Sequence, residues 1–132
     1  GVNIPDPAAA PDAFALVVSL TNGAVATSGN YRNHYEVDGK TLVHTMDPRQ
    51  GRPVTTHVAS ATVVAPDCRT ADGLATTLMV LEPDAGLALI ESLPDTEAAL
   101  LLFDEGQFQL RTTGGMDRHV EVVSDRIRKK SP

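Results

Sequence analysis

The order of apolar and polar positions predicts strands in the first half of the chain. Residues 14–20, FALVVSL, form a continuous β-rich apolar run, and GAVATSG, after the Asn-Gly turn signal at 22–23, is the expected hairpin partner. The segment HYEVDGKTLVH predicts a second hairpin, which turns at its Asp-Gly pair. Residues 57–66, HVASATVVAP, predict one more strand, which ends at its proline.

From residue 68 onward the apolar positions change to a helical spacing. Asp67 and Thr70 are both suited to cap the start of this helix. A second, shorter helix follows in EPDAGLALIESLP, and AALLLFDEGQFQLRTT predicts a third hairpin around residues 104–106. Strands, two helices and further strands favour an α+β fold, in which a mostly antiparallel sheet carries a pair of helices on one face. The apolar positions of the first helix are Ala71, Leu74, Ala75, Leu78 and Leu81.

Composition and charge narrow the class of protein. At 132 residues and 42% hydrophobic content the chain can bury one core, so one domain is expected. The net charge of −6 argues against nucleic acid as a partner, because phosphate binding needs clustered Lys and Arg. The single cysteine, Cys68, excludes an internal disulfide and a multi-cysteine zinc site.

The two ends of the chain differ in composition from its middle. The opening GVNIPDPAAAPDAF is rich in Pro and Ala and has no initiating Met, which suggests that the chain begins inside a longer protein. We expect residues 1–13 to be a connecting segment, 14–125 to form the domain, and 126–132 to be a basic, solvated tail.

Asp72 and Thr76 lie about 40° apart on a helical wheel, so the first helix presents a carboxylate and a hydroxyl on one face. Because Met79 and Val80 flank that face, we expect Asp72 to be half-buried and to need a partner. Two hard oxygen donors one turn apart suit Mg²⁺ better than zinc. The alternative is structural: Asp72 interacts with the amides of the first turn, and Thr76 bonds its own helix backbone. Spacing alone leaves both interpretations open.

Residues 42–53, LVHTMDPRQGRP, carry more titratable groups than a turn requires. A tight turn needs the prolines and the glycine, but neither His44 nor two arginines. Arg49 and Arg52 are able to clamp a phosphate in a bidentate manner, or to pair with Asp47 and fix the loop. The pattern therefore predicts either a phosphate contact or a loop held by an ion pair.

Three stretches of the chain, taken in order, resemble the carboxy-terminal half of the ApbE family, the FAD:protein FMN transferases. They are GAVATSGNYRNHYE, LVHTMDPRQGRPV and ASATVVAPDCRTADGLATTLMVLEPDAGLAL. The resemblance implies an enzyme that takes FAD as substrate and uses Mg²⁺ at its pyrophosphate. Such an enzyme moves FMN onto a threonine or serine hydroxyl of a target protein and releases AMP. The family fold is similar to the T-fold, which agrees with the order of the elements.

The resemblance also implies roles for individual residues. Asp72 and Thr76 match the family's metal-ligating pair. His44 matches a histidine proposed in the family to deprotonate the acceptor hydroxyl, which suits an imidazole near neutral pH. For Gly29 and Tyr31 a strand-ending turn with a packed tyrosine is the alternative. The residues expected to contact the flavin nucleotide are Ser28, Gly29, Tyr31 and Arg49.

The resemblance leaves the function of the isolated chain open. The family's amino-terminal half, with its glycine-rich flavin-contacting segment, is expected to supply the rest of the site. An FAD pyrophosphatase that yields FMN and AMP, or a non-catalytic flavin-binding domain, is the alternative. The acceptors in the family are subunits of flavin-dependent electron-transfer complexes. The implied location is the bacterial periplasm or the outer face of the inner membrane, through a lipid anchor.

Overall fold

The structure is a computed structural model that describes residues 1–30, 34–37, 40–43, 46–53, 57–104 and 106–129. The strands are β1 (Val2–Asn3), β2 (Phe14–Val18), β3 (Ala24–Gly29), β4 (His34–Val37), β5 (Lys40–Val43), β6 (Met46–Asp47), β7 (Arg52–Pro53), β8 (Val58–Ala65), β9 (Glu97–Asp104), β10 (Gln107–Thr112), β11 (Val120–Val122) and β12 (Ile127–Lys129). The helices are α1 (Cys68–Leu78), α2 (Pro83–Glu91) and a short 3₁₀ helix, Met116–Arg118.

A five-stranded sheet with the order β12-β10-β9-β8-β3 is the centre of the fold. Its neighbouring strands are antiparallel, except that β10 and β12 run parallel. The helices α1 and α2 cover one face of this sheet, and the three-stranded sheet β1-β2-β11 covers the other. The predicted α+β fold, with a mostly antiparallel sheet and a pair of helices on one face, is confirmed.

Alternate residues of the central strands enter two separate cores. In β8, Ala61 and Val63 lie in the core beneath the helices, and Val64 lies in the core beneath the small sheet. In β9, Leu100 lies in the core beneath the helices, and Leu101 lies in the core beneath the small sheet. Because both faces of these strands are covered, their sequences are mostly apolar, and the polar residues of β8, Ser60 and Thr62, are themselves buried.

Two of the three predicted hairpins are confirmed, and the first is wrong. Strands β4 and β5 pair antiparallel, as do β9 and β10. Strand β3, however, pairs with β8, while β2 pairs with β1 and β11. The reason lies in burial, since Leu16 of β2 belongs to the core under the small sheet and Ala24 of β3 to the core under the helices. The turn at Gly23, with φ +98°, therefore carries the chain from one layer to the other.

Both terminal segments contain strands where a connecting segment and a solvated tail were expected. Val2 lies in β1 opposite Leu16 of β2, and both Val2 and Ile4 are 6% exposed. At the other end, Ile127 lies in β12 opposite Phe108 of β10 and is buried. These isolated apolar residues are too few to produce a periodic pattern, although each fills space in the core.

Helix α1 begins at one of the two predicted capping residues. The Asp67 carboxylate accepts the backbone N–H of Thr70 at 3.0 Å and the Thr70 hydroxyl at 2.8 Å. These bonds, the backbone one first, hold the pKa of Asp67 below its usual value of 3.8. Ala71, Ala75 and Leu78 form the buried face of the helix as predicted, and Leu74 packs against the same core. Leu81, the fifth predicted position, lies beyond the end of α1. In the described ranges, no helix has the length and apolarity needed to cross a bilayer.

Gly73 in α1 offers a test of the helix and of its exposed face. It is exposed, and a Cβ added there would meet nothing within 4 Å. Gly73→Ala should therefore raise the free energy of unfolding by about 1 kcal/mol, the usual difference between the two residues inside a helix. Urea denaturation measures this change.

Gly86 in α2 is the matched control for that substitution. A Cβ at Gly86 would lie 2.7 Å from Cδ2 of Leu78, so Gly86→Ala should lose the helical gain to steric repulsion. If Gly86→Ala stabilises the protein as much as Gly73→Ala does, the Leu78 side chain does not restrict position 86 in the way that the structure describes.

Candidate functional site

The candidate site lies where the end of β3 meets the exposed side of α1. Residues 24, 26 and 28 share the face of β3 that looks toward the helices, and Ala24 and Ala26 contact the core there. The third position on this face, Ser28, places its hydroxyl 3.2 Å from the Thr76 hydroxyl of α1. The fold therefore brings together two predicted site residues that are 48 positions apart in the chain.

Asp72 lies one helical turn before Thr76, and both residues are exposed. The expectation that Asp72 is half-buried is wrong for this chain. That expectation extended the helical wheel to Met79, but α1 ends at Leu78 and Met79 turns into the core, where it is 1% exposed. Because the Asp72 carboxylate is exposed to water, it needs no partner to offset burial, and only the chemistry of its oxygen atoms and of the nearby hydroxyls favours a ligand.

Neighbouring residues make the hydrogen bonds that the structural interpretation assigned to Asp72 and Thr76. Asp67 bonds the first-turn amide, and the Thr77 hydroxyl donates to the carbonyl oxygen of Gly73 at 2.8 Å. The Thr76 hydroxyl instead contacts Ser28. In the described part of the chain, Asp72 takes part in no ion pair. Asp72 and Thr76 thus have the outward placement that a ligand-binding role requires.

This donor set fits a hard divalent cation. A carboxylate and hydroxyl oxygens suit Mg²⁺, which usually keeps several waters and binds substrate phosphate alongside one or two carboxylates. Across the residues that the structure describes, no group of three or more His, Cys, Asp and Glu is placed to hold a metal. A soft, all-protein site of the zinc type is therefore not formed by these residues. The remaining ligands of a cation at Asp72 would be water or phosphate oxygens, or residues outside the described ranges.

The loop from β6 to β7 is held by an ion pair between Asp47 and Arg49. The Arg49 guanidinium donates from Nε to Oδ1 at 2.9 Å and from Nη2 to Oδ2 at 2.8 Å, and the Arg49 backbone N–H donates to Oδ1 at 2.9 Å. The Asp47 side chain is 8% exposed, whereas that of Arg49 is 64% exposed. Of the two roles predicted for Arg49, the structure describes the one that fixes the loop. The turn closes at Gly51, whose φ is +63°.

The same contacts shift both pKa values. The side-chain hydrogen bonds from Arg49, followed by its backbone bond, hold the pKa of Asp47 below its usual 3.8. The bonds to Asp47 raise the pKa of Arg49, and the negative charge of Glu82 adds to this effect. Glu82 immediately precedes α2, so the loop lies within electrostatic reach of the turn between the helices.

Two predicted site residues, His44 and Tyr31, lie outside the described residues. Gly29 follows Ser28 as the last residue of β3 and pairs with Ser60 of β8. The contact between Ser28 and Thr76 was not predicted. Its signal was nevertheless present in GAVATSG, where the alternation of a strand puts Ser28 on the same face as two small apolar residues.

A groove of about 780 Å³ lies elsewhere, between α2 and the end of β10. Four of the five charged groups that line it form two ion pairs, Arg111 with Asp84 at 2.6 Å and Lys129 with Asp117 at 2.9 Å, and the fifth is Glu91. These pairs leave little unpaired charge for an ionic ligand, so the junction of β3 and α1 remains the candidate site.

Comparison with known proteins assigns the family. An α+β domain with a carboxylate and two hydroxyls at a sheet edge defines only a class of candidate cation- and phosphate-binding proteins. The sequence profile of the ApbE family matches residues 1–101. The FAD:protein FMN transferase of Vibrio cholerae is 45% identical over 83 residues, and that of Treponema pallidum is 35% identical over 126 residues. The chain belongs to the ApbE family.

Solved structures of the family share the fold. The flavinyl transferase ApbE of Pseudomonas stutzeri superposes with a TM-score of 0.60 at 41% identity over 71% of this chain. The ApbE protein of Thermotoga maritima gives a TM-score of 0.68 at 27% identity over 89% of this chain. The sequence match to the Vibrio protein covers 63% of this chain and 25% of that protein. The match to the Treponema protein covers 96% of this chain and 34% of that protein. The chain thus spans a quarter to a third of the relatives' length.

The pair formed by Asp47 and Arg49 predicts a specific dependence of stability on pH. Because the pKa of Asp47 is lower in the folded state, its stabilising effect is present above the unfolded value of 3.8 and is lost as the pH falls through the folded value. Asp47→Asn should therefore be less stable than the parent chain at neutral pH. The difference should shrink in acid, and urea denaturation across a pH series measures it.

Arg49→Gln is the control for this dependence. It removes the guanidinium bonds but keeps the backbone N–H that also bonds Asp47, so it should reduce, and not abolish, the same pH-dependent part of the stability. A double variant should lose less stability than the sum of the two single changes. A constant difference between the parent chain and Asp47→Asn down to the lowest pH would contradict the ion pair.

Proposed function

We propose that this chain forms the carboxy-terminal part of a Mg²⁺-dependent FAD:protein FMN transferase. The observation that carries the proposal is the contact of Ser28 with Thr76 beside Asp72, within a chain of the ApbE family. The relatives named above carry this activity in their names. Asp72 and Thr76 were selected from the sequence, and the fold places both on the exposed side of α1.

The proposed reaction is a phosphoryl substitution at the FMN side of the FAD pyrophosphate. The acceptor hydroxyl oxygen attacks that phosphorus and a new P–O bond forms. The bond from phosphorus to the bridging oxygen breaks, and AMP leaves with the electron pair. The acceptor proton passes to the imidazole of His44, a role that rests on the resemblance. A Mg²⁺ ion held by Asp72 and Thr76 would offset charge on the phosphates.

The other site residues would bind and orient the nucleotide. Gly29, which has no side chain, permits a close approach of the backbone to a ligand at the end of β3, and Tyr31 would contact the flavin or the acceptor. Arg49 would contact a phosphate with the guanidinium N–H groups that do not bond to Asp47. Fixing the loop and touching phosphate are compatible roles, since the Arg49 side chain is largely exposed.

The proposed partners follow from the reaction and from the coverage of the relatives. The chain spans a quarter to a third of their length, so the rest of such a protein would complete the cleft for FAD. The acceptor would be a threonine or serine of another protein, and we propose a subunit of a flavin-dependent electron-transfer complex. We place the protein in the bacterial periplasm or on the outer face of the inner membrane through a lipid anchor, on the resemblance alone.

The test uses the full-length protein, FAD, Mg²⁺ and an acceptor domain, with covalent FMN on the acceptor detected by mass spectrometry. We expect an FMN adduct and an equal amount of AMP. His44→Ala should reduce transfer by roughly 100-fold or more, the usual contribution of a general base, while FAD affinity is retained. His57→Ala, at an exposed histidine just before β8, should transfer at the parent rate.

Other outcomes of the experiment would contradict the transferase. Release of FMN and AMP without an adduct would identify an FAD pyrophosphatase. Binding of FAD without turnover, equal in the parent protein and His44→Ala, would identify a non-catalytic flavin-binding domain.

A further inference from the structure

Adjacent threonines in α1 use their hydroxyls differently. Thr77 donates to the carbonyl of Gly73, four residues earlier, which is the usual local bond of a threonine inside a helix. The Thr76 hydroxyl instead meets the Ser28 hydroxyl, on a different secondary-structure element. The contact with β3 therefore offers Thr76 an alternative to the carbonyl of its own helix.

The chemistry of a hydroxyl decides what this contact can do. A hydroxyl has one proton and two acceptor lone pairs. If the Thr76 oxygen binds a cation, a lone pair must face the cation and the proton must be donated elsewhere. Ser28 Oγ, 3.2 Å away, is an acceptor in the right place for that proton. The Ser28 proton is then left to point toward water or a bound nucleotide.

We infer that Ser28 is a positioning residue of the cation site. It accepts the proton of Thr76 and holds that side chain out of the local helix bond, so that the Thr76 oxygen is presented to a cation shared with Asp72. The inference rests on the proposed function, because it takes Asp72 and Thr76 as the cation ligands. Ser28 acts here through Thr76, which differs from the nucleotide contact that the resemblance implies for it.

The next residue of the same strand supplies a matched control. Thr27 faces the opposite side of β3, and its hydroxyl lies 2.9 Å from the hydroxyl of Thr62 on β8. Thr27 with Thr62 is therefore a hydroxyl pair of the same kind in the same sheet, remote from Asp72. Loss of a cross-strand hydroxyl contact can be measured there without touching the cation site.

The experiment measures Mg²⁺ affinity of the full-length protein by titration calorimetry in the absence of FAD, with the melting temperature as a second readout. The side chains introduced by Ser28→Val and Ser28→Thr have the same shape, and only the second carries a hydroxyl. Comparing the two variants therefore separates the effect of the hydrogen bond from the effect of side-chain volume. We expect Ser28→Val to bind Mg²⁺ roughly tenfold more weakly, as for other outer-shell changes, and Ser28→Thr to bind close to the parent. Thr27→Val should bind Mg²⁺ like the parent protein, even if it melts earlier.

Asp72→Asn separates failure of the inference from failure of the proposed site. If Asp72→Asn leaves Mg²⁺ affinity unchanged, the cation site itself is wrong. If Asp72→Asn loses affinity while Ser28→Val and Ser28→Thr bind equally well, the site stands and the role of Ser28 is overturned.

Discussion

The close packing of α1 on β3 and β8 is the contact on which the candidate site depends. The helix meets the sheet through alanines, Ala71 and Ala75 on α1 facing a core that includes Ala24 and Ala61. Small side chains at such an interface allow the backbones to approach closely. The side chains of serine and threonine are short, and the packing of α1 on β3 brings the hydroxyls of Ser28 and Thr76 to within 3.2 Å of each other. The position of the site is thus a consequence of side-chain volume in the core.

Local features of the fold could be predicted from the sequence, because neighbouring residues determine them. The helical spacing and the Asp67 cap located α1, and the Asp-Gly and Asp-Glu-Gly segments located two hairpins. Strand pairing is different, because it depends on which core a strand fills. The Asn-Gly signal at residues 22–23 marked a change of direction correctly, but it carried no information on the partner of β3.

The candidate site shows the same division. The face shared by Asp72 and Thr76 follows from helical geometry and was predicted. The exposure of this face was not predicted, because the helical wheel included Met79, which lies beyond the end of α1 and is buried. The partner of Thr76 could not be found by spacing, since Ser28 is 48 residues away. The pair formed by Asp47 and Arg49 was one of two predicted possibilities, and the geometry of a bidentate bond selected it.

Locating a bound ion would test the proposed cation site most directly. Mn²⁺, which can replace Mg²⁺ and scatters X-rays anomalously, would be added to crystals of the full-length protein, and its position would be read from the anomalous difference density. We expect an ion roughly 2.1 Å from both the Asp72 carboxylate and the Thr76 hydroxyl oxygen, with that hydroxyl still bonded to Ser28. An ion bound away from α1, or a Thr76 hydroxyl turned back to the carbonyl of Asp72, would contradict this expectation.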